Sequence, residues 1–106
     1  MNNLSNAAQK NQNGRYNLRL FVANGEPNSN KAKENLARIC ETHLKGRCDV
    51  EIIDVLVDFE AALKNNILIT PTLLLVDPPP RITIFGNLGD TGKVMSALRL
   101  LYKGEV

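Results

Sequence analysis

Few side chains in this sequence are placed to do chemistry. The two thiols are Cys40 and Cys48, on either side of the end of a helical segment. Two cysteines that approach each other can exchange with disulfides, but a reactive thiolate needs a neighbouring cation or a helix N-terminus. The residues favour two partly buried thiols, with redox chemistry as the alternative. His43 is the single histidine and has no Cys or His partners at ligand spacing, so a metal centre is not indicated. It is expected to pack beside Leu44 at a helix end. Asp54, Asp58 and Glu60 cluster in sequence, but strand-end and capping roles account for them without a catalytic carboxylate pair. Gly86 and Gly89 lack the lysine and the spacing of a phosphate-binding loop. Thr70-Pro71-Thr72 precedes an apolar run. The residue before a proline is extended, and a proline at a strand entrance forfeits no interior ladder bond, so Pro71 is a candidate structural cis-proline. No catalytic, metal or cofactor-binding residue emerges, and no cofactor is expected.

The composition narrows the function classes further. At 106 residues the chain makes one domain with a single core. Its net charge of +2 comes from scattered residues, and aromatics are 5% of the chain, so the basic stripe and stacking rings of a nucleic-acid binder are missing. No apolar run approaches the ~20 residues of a membrane span, and no apolar leader opens the chain. A cytoplasmic protein without membrane or nucleic-acid partners is expected.

The elements that must position these residues follow from periodicity. Residues 1–15 are rich in Asn and Gln and read as a flexible tail, because they cannot bury enough surface to offset their ordering entropy. The folded domain is expected over residues 16–104. Residues 16–22 alternate and then run apolar, as a central strand does. Pro27, Asn28 and Ser29 supply helix-entry chemistry, with Asn28 or Ser29 expected as N-cap. The buried helix face is expected at Ala32, Leu36, Ile39, Cys40, His43 and Leu44, with Gly46 as the left-handed stop. Residues 49–55 form a second strand, parallel to the first through a right-handed crossover, and expected at a sheet edge. Asp58 caps a short helix over 59–64 with Phe59, Ala62 and Leu63 inward. A strand over 72–76 follows Pro71. The proline run 78–80 reads as a stiff, extended connection, and 81–85 as an edge strand. Asp90 caps a last helix over 91–103, burying Val94, Met95, Leu98, Leu101 and Tyr102. The order is β-α-β-α-β-β-α, an α/β fold with a four-stranded mixed sheet and three helices.

This order resembles the thioredoxin-like fold. There, a cis-proline in the setting of Pro71 faces a redox cysteine pair at the start of the first helix. The matching segment here, Asn24-Gly25-Glu26-Pro27-Asn28-Ser29, has no cysteine. Within that fold the chain resembles the KaiB family of the cyanobacterial circadian clock and its relatives elsewhere. The resemblance rests on Leu20-Phe21-Val22-Ala23 before Pro27-Asn28-Ser29, Ile53-Asp54-Val55-Leu56, Ile67-Leu68 through Thr70-Pro71-Thr72-Leu73, Pro78-Pro79-Pro80 and Gly86-Asn87-Leu88. It implies binding without catalysis: clock members dock on the hexameric ATPase KaiC and control its state. It also implies slow exchange between two packings of the C-terminal half, which must lie within a few kcal/mol of each other. Asn24, Glu26, Asn28 and Lys31 are the candidate partner-binding residues, where such folds present their functional edge. Lys31 also matches a basic residue of clock members.

Two departures bear on function. Clock members have a glycine and an acid at the positions of Ala97 and Arg99. Alanine favours helix over glycine by about 1 kcal/mol, and a cation near a helix C-terminus adds about 0.3–1 kcal/mol. Together they shift a near-balanced pair by ~1–2 kcal/mol, up to about tenfold in population, toward the thioredoxin-like state. Positions that are basic in clock members read here as Glu51 and Leu75, which speaks against a contact with KaiA. A KaiC-like ATPase is the expected partner, in a circadian or stress-response role, with a homo-oligomer (dimer or tetramer) formed through sheet edges. The competing readings are a thioredoxin-like oxidoreductase or peroxide-handling accessory using Cys40 and Cys48, and a free-standing relative of the sensor domain of KaiC-binding histidine kinases.

Overall fold

The computed structural model describes residues 14–98. The central strand β1 (Tyr16–Val22) owes its place to Leu18, Leu20, Phe21 and Val22, which are all buried. It is followed by α1 (Pro27–Thr42), β2 (Cys48–Asp54), α2 (Phe59–Lys64), β3 (Thr72–Asp77), β4 (Ile82–Phe85) and α3 (Thr91–Ala97). The strand order is β2-β1-β3-β4, so β2 and β4 are the two edges, as expected. β1 runs parallel to β2, from Tyr16 opposite Cys48 to Val22 opposite Asp54, and antiparallel to β3, with Leu20 opposite Leu73. β4 returns antiparallel to β3, with Leu73 opposite Ile84.

Alternation along β1 sends side chains to two unequal layers. Leu18, Leu20 and Val22 join Leu73, Leu75 and Ile84 beneath Ala32, Leu36 and Ile39 of α1 and Val94 and Met95 of α3. Phe21, Ile53 and Leu74 point the other way and form a smaller core with Val55, Ala61, Ile67 and Val76. In the loop before α3, Leu88 has a φ of 63° and is buried in the larger core. The Asn87 carbonyl beside it accepts a hydrogen bond from Asn35 Nδ2 of α1 at 2.8 Å.

Several expectations about the elements are corrected. Glu26 takes the N-cap position of α1 without a capping bond from its side chain, Pro27 opens the first turn, and Asn28 and Ser29, the expected caps, lie inside the helix. Proline's fixed φ and missing N–H suit that first turn, which moves the helix start ahead of the better capping residues. His43 takes the C-cap position and is exposed, not packed beside the buried Leu44. Gly46 adopts the left-handed stop at φ 77°, joined by Lys45 at φ 52°. In α2, Asp58 does cap, accepting the Ala61 N–H at 3.1 Å. Phe59 and Leu63, however, are 63% and 59% exposed, and of the three residues expected inward only Ala62 is buried. A six-residue helix has less than two turns. Small Ala61 and Ala62 bring it close to the sheet, which leaves the bulky residues outside. The proline run does not extend: the Asp77–Pro78 and Pro79–Pro80 bonds are cis, and the chain turns back into β4. Thr70–Pro71 is cis, as the sequence suggested.

Asp90 caps α3, accepting the Lys93 N–H at 3.1 Å. Val94, Met95 and Leu98 are buried, and Ala97 packs half-buried against them. Arg99, Leu101, Tyr102 and the rest of the expected final helix lie outside the described residues, as do residues 1–13 of the expected tail.

Candidate functional site

At the C-terminal end of β1 the chain turns outward through Asn24 and Gly25 before entering α1. The corner is built around Ser29, a fully buried hydroxyl. Its Oγ accepts the Ala23 N–H at 3.0 Å and donates to Glu26 Oε1 at 3.0 Å. Asp54, at the end of the neighbouring β2, accepts the Asn24 N–H at 3.3 Å and the Leu56 N–H at 3.0 Å through Oδ1. A Val55 N–H to Val22 carbonyl bond of 2.8 Å completes the stitch between the two loops. On the other side, Phe21 is opposite Thr72, so Pro71 enters β3 at this same end of the sheet. Thr72 Oγ1 donates to the Ile69 carbonyl at 2.7 Å, and the Pro71 carbonyl accepts the Gly86 N–H at 3.0 Å, fixing the turn.

Four sequence-derived residues gather here in different conditions. Asn28 and Lys31 are exposed on the first turns of α1. Asn24 is exposed, and its Oδ1 accepts from Lys33 Nζ at 2.9 Å. Glu26 is half-buried and committed to Ser29, so its side chain holds the corner together.

The cysteines lie elsewhere. Cys48 is opposite Tyr16, at the start of β1, six residues from the Val22 end. At about 3.3 Å per residue that is roughly 20 Å from Pro71's end of the sheet. Cys40 and Cys48 are free and half-buried. The Cys48 thiol donates toward Cys40, which pulls the Cys40 pKa down and pushes that of Cys48 up. Beside them, Arg15 Nη2 pairs with Asp49 Oδ1 at 2.6 Å. The guanidinium holds the Asp49 carboxyl below the usual carboxylate range and is itself raised by it. Among the described residues no three His, Cys, Asp or Glu side chains gather where they could hold a metal ion, and no helix there is long and apolar enough to cross a membrane.

Sequence reasoning missed an apolar surface beside the Pro71 corner. Leu56, Val57, Phe59, Leu63, Leu68 and Ile69 are all exposed, Leu68 by 90%. Val55, Phe59, Ile67, Leu68 and Ile69 border a shallow recess of about 210 Å³. Scattered exposed apolar residues are ordinary, but Phe59, Leu68 and Ile69 share this recess, and a contiguous set of that kind marks an interaction surface. The signal was present in the runs Val55-Leu56-Val57 and Ile67-Leu68-Ile69, which are apolar yet fall in loops.

Comparison with known proteins places this geometry. A model of the KaiB domain matches residues 19–100. The chain belongs to the KaiB family. It is 46% identical over 88 residues to the circadian clock oscillator protein KaiB of Picosynechococcus sp., covering 83% of this chain and 85% of that one. It is 43% identical over 88 residues to the KaiB of Acaryochloris marina, with the same coverage of each. Among solved structures, the N-terminal domain of Synechococcus elongatus SasA aligns with a TM-score of 0.64 at 20% identity, covering 83% of this chain and 87% of that one. The Drosophila thioredoxin Deadhead aligns at 0.66 with 16% identity, covering 82% of each chain. Both likenesses concern the fold alone, and that fold is thioredoxin-like. In this KaiB-family domain Ser29, Glu26 and Asn28 occupy the helix entrance where the resemblance pointed to a missing cysteine pair. Of the two positions that the resemblance set against a KaiA contact, Glu51 is exposed on β2 and Leu75 is buried in the core.

Proposed function

We propose that this KaiB-family protein is a non-enzymatic regulator in a circadian or stress-related system. In this reading it acts in the cytoplasm by docking on a KaiC-type ATPase and altering that partner's state. The observation that carries the reading is the Pro71 corner: a thioredoxin-like edge without a thiol, bordered by the exposed apolar side chains of Phe59, Leu68 and Ile69. A surface of that kind suits protein binding and offers no redox nucleophile. The apolar set supplies area for the contact, while Asn24, Asn28 and Lys31 supply a polar rim and Glu26 holds the corner. KaiA is not expected as a partner. Leu75 is inaccessible, and β2 presents Glu51 where clock members carry a base. The protein rests in the thioredoxin-like state, favoured by Ala97 and Arg99, and self-associates through its sheet edges.

The test is co-elution on size exclusion of the purified protein with the KaiC homologue of the same genome, with and without ATP. A stable complex supports the reading, and its absence under both conditions overturns it. Insulin reduction that disappears on replacing Cys40 or Cys48 would instead favour an oxidoreductase.

A further inference from the structure

The end of the molecule away from Pro71 has its own chemistry. Between α1 and β2 the chain folds back tightly. The Gly46 N–H bonds to the Cys40 carbonyl at 3.1 Å, and the Arg47 N–H to the Leu44 carbonyl at 2.9 Å. Arg47 Nε also reaches the Leu44 carbonyl at 3.0 Å, and the Arg47 carbonyl accepts the Tyr16 N–H at 2.8 Å, which anchors the loop to β1. Leu44 is fully buried beneath it. This closure sets the first residue of β2 two residues beyond the Gly46 N–H that is bonded to the Cys40 carbonyl, so Cys40 and Cys48 are neighbours half-buried on the same core, each within reach of the other's influence. Both remain half-exposed, within reach of a small oxidant. Neither has a role at the docking corner.

We propose that Cys40 and Cys48 are a redox modification site, which a hydroperoxide converts into an intramolecular disulfide fastening the end of α1 to the start of β2. Cys40 is the attacking sulfur: the Asp49 carboxylate directly follows Cys48 and disfavours a thiolate there, while the Cys48 S–H supports the thiolate of Cys40. The Cys40 thiolate attacks one peroxide oxygen and the O–O bond breaks. The departing oxygen leaves as hydroxide or alkoxide and takes up the Cys48 proton, giving water or an alcohol. Cys40 is then a sulfenic acid. The Cys48 thiolate attacks the Cys40 sulfur, the S–S bond forms, the S–O bond breaks and the hydroxide leaves as water after protonation from solvent. Two thiols have lost two electrons, and the peroxide has gained them. A dithiol reductant reverses the change by exchange. Because the pair sits at the opposite end of the sheet, the disulfide staples β1-α1-β2 and leaves the Pro71 corner as it is.

The experiment exposes the reduced full-length protein to equimolar hydrogen peroxide, followed by thiol titration, intact mass and non-reducing peptide mapping. The expected product is a monomer that has lost both thiols and the mass of two hydrogens, with a Cys40–Cys48 cross-linked peptide, reversed by dithiothreitol. C48S should give no disulfide but a dimedone adduct at Cys40. C40S should leave Cys48 unmodified at the same dose. A wild-type protein that keeps both thiols, or that yields only intermolecular dimers or sulfinic acids, overturns the proposal. So does a dimedone adduct at Cys48 in C40S.

Discussion

Replacing Ser29 by alanine tests whether the corner between β1 and α1 is held by one buried hydroxyl. The Oγ is fully buried and makes two bonds of 3.0 Å, one from the Ala23 N–H and one to Glu26. Alanine leaves the Ala23 N–H without its partner, which costs about 1–3 kcal/mol, and removes the bond to Glu26, worth about 0.5–1.5 kcal/mol. Alanine's better helix propensity returns about 0.5 kcal/mol. The expected loss is therefore about 2 kcal/mol, or roughly 10 °C in Tm for a domain of this size. Glu26→Gln is the control: it keeps an acceptor for Ser29 and the capping backbone, and should cost under about 1 kcal/mol. Urea unfolding followed by circular dichroism, at unchanged m-value, measures both. Ser29→Ala within about 0.5 kcal/mol of wild type, the range of a bland surface change, would refute the reasoning. A Glu26→Gln variant as damaged as Ser29→Ala would show that the carboxylate's charge, rather than the hydroxyl, holds the corner.

Three further perturbations address other parts of the molecule. Ala97→Gly combined with Arg99→Asp should raise the population of the alternative C-terminal packing by up to about tenfold, read by NMR as strand shifts across residues 95–100; an unchanged spectrum and stability would refute the role given to these positions. Phe59→Ser and Leu68→Ser remove exposed side chains, so the unfolding free energy should change by no more than about 0.5 kcal/mol. The Kd for a KaiC homologue should rise about tenfold or more, and an unchanged Kd would remove this surface from the docking face. Asp49→Asn probes the pair with Arg15. Its folded pKa is depressed, so the pair's stabilisation is present above the ordinary carboxylate value of about 4 and is lost as pH falls through the folded value. The variant should be slightly less stable than wild type at neutral pH, by little because both groups are exposed, and the gap should close in acid. A gap that persists in strong acid would refute the assignment.

The strands and their order were legible because their signals are strong and local. The apolar run of β1, the alternation of β4 and the caps Asp58 and Asp90 each specify one geometry. The corner was half legible. Pro71 announced its turn, and Asn24 to Lys31 did converge at that end of the sheet. Ser29, however, presented itself as a cap, because Ser favours that role and nothing local reveals that its hydroxyl is drawn inward by the Ala23 N–H. Phe59 and Leu63 were misplaced for a different reason. In a helix this short the inward face is chosen by which side chains let the backbone approach the sheet, a tertiary property. The pairing of Cys40 with Cys48 depended on the fold-back at Lys45 and Gly46, where Gly46 was visible and the left-handed Lys45 was not.

Leu88 carries a consequence for how the C-terminal half is fastened. A left-handed backbone costs a leucine roughly 1–2 kcal/mol, and its burial in the core that also holds Val94 and Met95 of α3 offsets this by about 1.5–3 kcal/mol. The conformation is thus sustained by neighbours and not by the loop itself. Were α3 to lift away, the side chain would lose its niche and the loop would relax to ordinary geometry. The Leu88 amide and carbon shifts of isotopically labelled protein are accordingly a built-in gauge of whether the last helix is seated.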